Sequence, residues 1–250
     1  MTLVRIALMT DIHANREAFA ACLAHAERAT PERYAFLGDF IGYGADPGWV
    51  VDTVLGYAER GAICVLGNHD EAVCNPPRET MQPDARRAID WTRAQLGSRQ
   101  MEFLAGLPLH VEKDNCLFVH ANAWAPGQWE YIVSAFDARS SMAATRARFT
   151  FCGHTHEPAL YNMGRDWRAS AFKPVPGTAV PLGTHRRWLA IPGSVGQPRD
   201  GILAACYALF DTERCNLTFY RVPYDVDAAA AKVRAAGLPE KLAIRLERAF

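Results

Sequence analysis

Short apolar runs alternate along this chain with segments whose apolar positions recur every three to four residues. Residues 3–10 form the first run. The segment after it places Phe19, Cys22, Leu23 and Ala26 at i, i+3, i+4 and i+7 behind Asn15, a residue suited to capping a helix. The unit recurs as a strand at 34–37, the loop Gly38-Asp39 and a helix through 50–60. It recurs again as a strand at 62–66, Gly67 and a helix from about Asp70. A further helix is expected over 83–97, with Ala85, Ala88, Ile89, Thr92 and Leu96 on one face and Pro83 in its first turn. Strands alternating with helices imply crossover connections and a largely parallel sheet.

Beyond this point the pattern turns toward hairpins. Residues 107–112 and 116–120 flank a Lys113-Asp114-Asn115 turn, and 202–210 and 217–222 flank Asp211-Thr212-Glu213-Arg214. A helix is expected over 133–148 and a strand over 149–152. The tail from Asp225 reads as two short helices broken at Gly237-Leu238-Pro239. The elements suit an α/β chain of α+β four-layer type, with two facing mixed β-sheets forming a sandwich flanked by helices. One domain over residues 1–250 is expected, with a helical tail at about 225–250. Residues 161–191 hold three prolines and three glycines and read as an inserted arm.

Charge sharpens that last reading. Lysine plus arginine and aspartate plus glutamate number 27 each, so the chain is formally neutral and has no global attraction to nucleic acid or an anionic membrane. Yet Arg165, Arg168, Lys173, Arg186, Arg187 and Arg199 face the single acid Asp166 between 161 and 199. Residues 202–210, a nine-residue apolar run, are about half of the roughly 18–20 needed to span a membrane. The run after Arg5 is too short for a secretory leader. Seven scattered cysteines without a CxxC pair read as reduced core residues. A cytoplasmic chain is expected.

Five of the eight histidines follow expected strands: His13, His69, His120, His154 and His156. Groups at the carboxyl ends of strands converge on one edge of an α/β sheet. Asp11, Asp39 and Asn68 occupy the same kind of position. Carboxylate and amide oxygens mixed with imidazole suit a divalent ion such as manganese, iron, nickel or zinc. Asp11, His13, Asp39, Asn68, His120, His154 and His156 are more ligands than one ion takes, so two ions fit better.

These blocks carry a resemblance. Asp11-Ile-His13, Gly38-Asp39, Gly67-Asn68-His69-Asp70, Val119-His120 and Gly153-His154-Thr155-His156, in this order, resemble the calcineurin-like metallophosphoesterase superfamily. The loop from Gly193 to Gly201 and the tail resemble its small bacterial branch of phosphodiesterases and diadenosine tetraphosphatase relatives. The resemblance implies Asp11, His13 and His156 on one metal, Asn68, His120 and His154 on a second, and Asp39 bridging. A metal-bridging hydroxide would attack phosphorus in a phosphodiester, phosphomonoester or dinucleoside polyphosphate. Manganese is the expected metal, and the partner is a small phosphate-ester or nucleotide substrate. His69 would stabilise the phosphoryl charge or protonate the leaving oxygen, with Asp70 fixing its tautomer. Ala14 and Ala121 stand where the family often has glycine.

For substrate, the Ser194-Val-Gly-Gln197-Pro-Arg199 loop offers backbone N–H groups and a guanidinium to a phosphate, and Tyr43 offers a ring to a base. Trp124 and Trp129 are candidates for a pocket rim. Plainer readings exist: a packed histidine, Asp70 as a helix cap, Tyr43 closing its loop, arm arginines as a solvated face. Two other functions stand beside the phosphoesterase. A silent metal-binding module would have lost ligands, and none is missing here. A nuclease would want a broad basic track, which a neutral chain with one basic arm does not supply.

Overall fold

The computed structural model describes residues 4–250. Two six-stranded mixed sheets lie face to face. The first has the order β3 (Ile63–Cys64), β2 (Arg33–Phe36), β1 (Arg5–Met9), β11 (Ala205–Asp211), β12 (Asn216–Val222) and β9 (Ala179–Pro181). β1, β2 and β3 are parallel, and β11 runs antiparallel to β1. The second sheet has the order β4 (His110–Lys113), β5 (Cys116–Val119), β6 (Phe149–Phe151), β10 (Arg187–Ile191), β7 (Ala159–Met163) and β8 (Ala169–Phe172).

Alternation along β1 shows how one strand serves two cores. Ile6 and Leu8 face the other sheet, where they meet a cluster that includes Phe118, Phe149, Phe151 and Phe210. Ala7 and Met9 face outward, under α1 (Arg16–Glu27) and α2 (Pro47–Glu59). α1 buries Phe19, Cys22, Leu23 and Ala26 as their spacing requires, and the Asn15 side chain accepts the Ala18 N–H at 3.1 Å. α3 (Asn68–Cys74), α4 (Pro83–Gln95) and α5 (Ser98–Ala105) follow β3, and α6 (Ala135–Ala143) covers the second sheet. The tail forms α7 (Val226–Ala235) and α8 (Glu240–Arg248), which pack on Ala88 of α4 and on Tyr43.

The structure departs from the expected elements in several places; α6 covers Ala135–Ala143 of the expected 133–148, and α5 lies where no element was expected. The first expected strand begins at Arg5, and residue 3 lies outside the described residues. The run 202–210 is strand only from Ala205, because Gly201 turns the chain at φ 78° and leaves Ile202 and Leu203 outside the sheet. The segment expected as an arm is sheet at both ends. β7 and β10 pair with each other over five residues, β10 also pairs with β6, and Tyr161, Met163, Trp188, Leu189 and Ile191 are buried. Its middle then pairs β8 to β7 on one sheet and β9 to β12 on the other. Among the described residues no helix is long and apolar enough to cross a membrane, and all seven cysteines are unpaired.

Candidate functional site

Strand ends of both sheets supply the site. Asp11 and His13 follow β1, Asp39 follows β2, and Asn68 opens α3 after β3. From the second sheet, His120 follows β5, and His154 and His156 follow β6. The backbone there is strained: Asp11, His13, Asp39, His154 and His156 take φ between 50° and 70°, as do neighbouring Ala14 and Tyr43. Such φ values cost non-glycine residues roughly 1–2 kcal/mol each and persist only where the surroundings dictate them. Loop-to-loop hydrogen bonds provide that constraint. His13 N–H donates to Asp39 O at 3.0 Å, Ala14 N–H to Phe40 O at 2.8 Å, Gly196 N–H to Asp11 O at 2.9 Å and Gly153 N–H to His120 O at 2.8 Å. Gly67 is required by contact, since a Cβ there would lie 2.2 Å from Asp39 Oδ1.

Four imidazoles turn the same way. The outer nitrogens of His13, His120, His154 and His156 meet the carbonyls of Ile41 (3.1 Å), Leu37 (2.8 Å), Trp129 (2.9 Å) and Gln197 (2.7 Å). A carbonyl only accepts, so each ring carries a proton on its outer nitrogen and, when neutral, directs a lone pair inward. Inside, His13 Nε2 and His156 Nε2 stand 3.1 Å apart, and His120 Nε2 and His154 Nδ1 stand 3.2 Å apart. Where both rings are neutral, as for His13 and His156, facing lone pairs repel unless something positive lies between them; between His120 and His154 a proton on His120 fills that place until an ion replaces it. Around the first pair lie Asp11 Oδ1, 3.4 Å from His156, and Asp39 Oδ2, 3.7 Å from His13. Around the second lie Asp39 Oδ2 and Asn68 Oδ1, 3.4 and 3.2 Å from His120 Nε2. Asp39 thus touches both groups. The donor atoms of Asp11, His13 and His156 could hold one ion, and those of Asp39, His120 and His154 another; His13, Asp39 and His69 form a third compact set.

The electrostatics agree with a cluster built for cations. Burial holds the imidazoles of His13 and His156 well below their usual range and His154 down to about 3, so these rings are neutral. Burial acts the same way on His120, but the Asp39 carboxylate outweighs it and pushes that ring up to about 9. Asp39 is held well below the usual carboxylate range, because the imidazoles of His120 and His69 overcome its burial. Burial raises Asp11 to about 6.

A cleft of about 350 Å³ opens onto the cluster, lined by His69, Trp129, Tyr131, Tyr43, Arg78 and Arg199 among others. His69 packs between Tyr43 (4.4 Å between ring centres) and His13 (4.9 Å). The Arg199 guanidinium lies 5.9 Å from the Tyr43 ring and donates twice to Gln197 Oε1, at 2.9 and 3.3 Å. Tyr131 stacks on His154 at 4.1 Å.

Three expectations change here. Asp70 does not orient His69. Its carboxylate accepts the N–H groups of Phe40 (3.0 Å), Ile41 (3.3 Å) and Gly67 (3.1 Å), capping α3 and tying it to the loop after β2, while His69 Nδ1 is buried without a partner. Ser194 and Gln197 are buried behind the cleft rather than in it. The Ser194 hydroxyl donates to Asp11 O at 2.7 Å and accepts the Gln197 N–H at 2.8 Å, so both residues brace the ligand loops. Trp124 pairs with Glu130 away from the cleft. Tyr131 and the salt-bridged pair Arg78–Glu71 were not legible as site residues; Tyr131 and Arg78 lie in irregular segments with no periodicity or motif to mark them, and Glu71 follows the Gly67–Asp70 motif on α3 without belonging to it.

Comparison with known proteins points the same way. The profile of the calcineurin-like phosphoesterase superfamily domain matches residues 4–214, a span that contains all seven candidate ligands. An uncharacterized protein of Methanocaldococcus jannaschii is 32% identical over 246 residues, 96% of each chain. A metallophosphoesterase from Sphaerobacter thermophilus superposes with a TM-score of 0.88 at 35% identity over 100% of both chains. A hypothetical protein from Pyrococcus horikoshii shares the fold, with a TM-score of 0.78 at 18% identity over 98% of both chains. The chain belongs to the calcineurin-like phosphoesterase superfamily. It is a metal-dependent phosphoric ester hydrolase.

Proposed function

We propose that the protein hydrolyses a small phosphodiester, phosphomonoester or dinucleoside polyphosphate with two divalent ions. Asp11, His13 and His156 would hold one, Asn68, His120 and His154 the other, and Asp39 both. The two imidazole pairs carry this reading, because each brings two ring nitrogens to one point beside a carboxylate, with the outer nitrogens already committed to carbonyls. Two such ions supply Lewis-acid activation of water at neutral pH and neutralise charge on the phosphoryl group.

The chain's own residues then have distinct tasks. The carbonyls of Ile41, Leu37, Trp129 and Gln197 fix the tautomers of the ligand imidazoles. His69 lines the cleft beside Asn68, where its ring can donate a proton to the leaving oxygen. Arg199, positioned by Gln197, faces the cleft with an uncompensated positive charge suited to a second phosphate or a non-bridging oxygen. Tyr43 and Tyr131 offer ring faces to an organic leaving group.

The deciding experiment is a substrate panel on manganese-reconstituted protein with metal content measured in parallel. The panel comprises bis-p-nitrophenyl phosphate, p-nitrophenyl phosphate, cyclic nucleotides, diadenosine tetraphosphate and a single-stranded oligonucleotide. Turnover that tracks bound metal, with a small ester preferred, is expected. Preference for the oligonucleotide would favour a nuclease, and a loaded protein inert on the whole panel would overturn the reading.

A further inference from the structure

A second concavity lies at the other end of the strands from the ligand cluster. Arg146 and Arg148 lead into β6, Arg186 and Arg187 into β10, and these strands are parallel, so their amino ends lie side by side. β7 runs antiparallel to β10 and delivers Gly164, Arg165 and Trp167 to the same end. Together they line a cavity of about 480 Å³ with His185 and without a single Asp or Glu. His154 lies six residues beyond Arg148, up to roughly 20 Å along an extended chain, so this is a site apart from the cleft.

Its charge is uncompensated. Among the described residues, none of the five arginines pairs with a carboxylate. Arg187 donates to the carbonyls of Met142 and Thr145 at 2.7 Å each, Arg186 to Asn162 Oδ1 at 2.5 Å and Arg148 to Leu182 O at 3.2 Å. These neutral acceptors fix the guanidiniums without cancelling them. Arg148 Nε is buried with no hydrogen-bond partner, and the side chains of Arg146 and Arg165 are exposed and make no bond. Asp166 lies outside the lining and pairs with Arg168 at 3.9 Å. At the rim Trp167 is 54% exposed in a left-handed turn at φ 61°. A strained backbone that presents a bare indole beside fixed arginines joins the two elements that bind a base and its phosphates.

We infer that this groove binds a nucleotide, with phosphates on the arginines and the base on Trp167, presented free or within a single strand. The test is fluorescence titration of the metal-loaded protein with a methylene-bridged ATP analogue, an oligothymidylate and tripolyphosphate. The same titrations on W167F isolate the groove from the tryptophans of the cleft. A saturable quench that W167F loses, with affinity reduced tenfold or more in R146E/R165E, is expected. Preference for the analogue assigns a free nucleotide. Preference for the oligothymidylate, with a log–log salt slope of about −2 for three phosphate contacts, assigns a strand. A quench undiminished in W167F, an affinity indifferent to R146E/R165E, or tripolyphosphate binding as tightly as the analogue would overturn the inference. The readout is the part of the quench that Trp167 supplies, to which the cleft does not contribute, so it stands or falls apart from the hydrolytic reading.

Discussion

His69 packs so closely on Gly42 that a Cβ built on the glycine would lie 2.5 Å from the ring's Nδ1. No hydrogen bond holds that nitrogen, so packing alone aims the ring. Gly42→Ala should therefore mimic a partial loss of His69, its strain raised further by the positive φ of 82° at that position. We expect kcat to fall about tenfold or more in Gly42→Ala and by about 10²–10⁴ in His69→Ala, with metal content unchanged in both. Metal analysis of the purified variants decides the point. A His69 variant stripped of metal would show that the residue is a ligand.

Asp39 is the carboxylate common to both histidine pairs. Asp39→Ala should abolish metal retention as well as turnover, whereas Asp39→Asn keeps an oxygen and should retain part of the metal. Inductively coupled plasma measurement after dialysis distinguishes this pattern from one in which both variants keep the wild-type complement.

Above about pH 6, where Asp11 is already ionised, metal uptake should be pH-dependent through one imidazole. His13, His154 and His156 are already neutral near pH 7 and release no proton on coordination. His120, raised to about 9, must lose its proton first. Apparent affinity should then rise as pH climbs toward 9 by up to about tenfold per unit, and flatten above it. Titrating metal at several pH values in wild type and His120→Asn checks this. An identical slope in the variant would place the proton elsewhere.

Asp70 acts on stability more than on chemistry. Asp70→Ala would leave three buried backbone N–H groups without an acceptor, which should cost about 3–5 kcal/mol in urea unfolding. Asp70→Asn, which keeps one accepting oxygen, should cost less.

Arg199→Ala should raise KM for diadenosine tetraphosphate far more than for p-nitrophenyl phosphate, with kcat less affected. Equal effects on the two substrates would mean that the guanidinium serves the scissile phosphate alone.

Much of this was legible from residue order. The α1 face, the hairpins and the parallel β1–β3 unit follow from apolar spacing, and the candidate ligands from histidines, aspartates and an asparagine that follow strands. What escaped is instructive. β7 and β10 were hidden because the proline, glycine and arginine content between them outweighs two five-residue strands in any local reading. α5 buries Leu104 as its one fully covered side chain, too little periodicity to announce a helix. Asp70 and Ser194 looked chemical because they sit in motifs, yet beside a local partner three residues away each holds a backbone group some 30 or 183 residues distant, which spacing along the chain does not reveal. The left-handed φ of 52° at Ala14 gives a physical reason for the glycine that the family often places there.

The ligands come from both layers of the sandwich, and this has a mechanical consequence. His13 meets His156, and Asp39 and Asn68 meet His120, each contact crossing from one sheet to the other. An ion held there is a rivet through the seam, added to the side-chain packing and the loop hydrogen bonds that also join the two halves. At a free concentration a thousandfold above its Kd such an ion adds about 4 kcal/mol to the folded state. Chelation should therefore loosen the molecule as well as silence it, with amide exchange quickening first along the strand ends that the rivet pins.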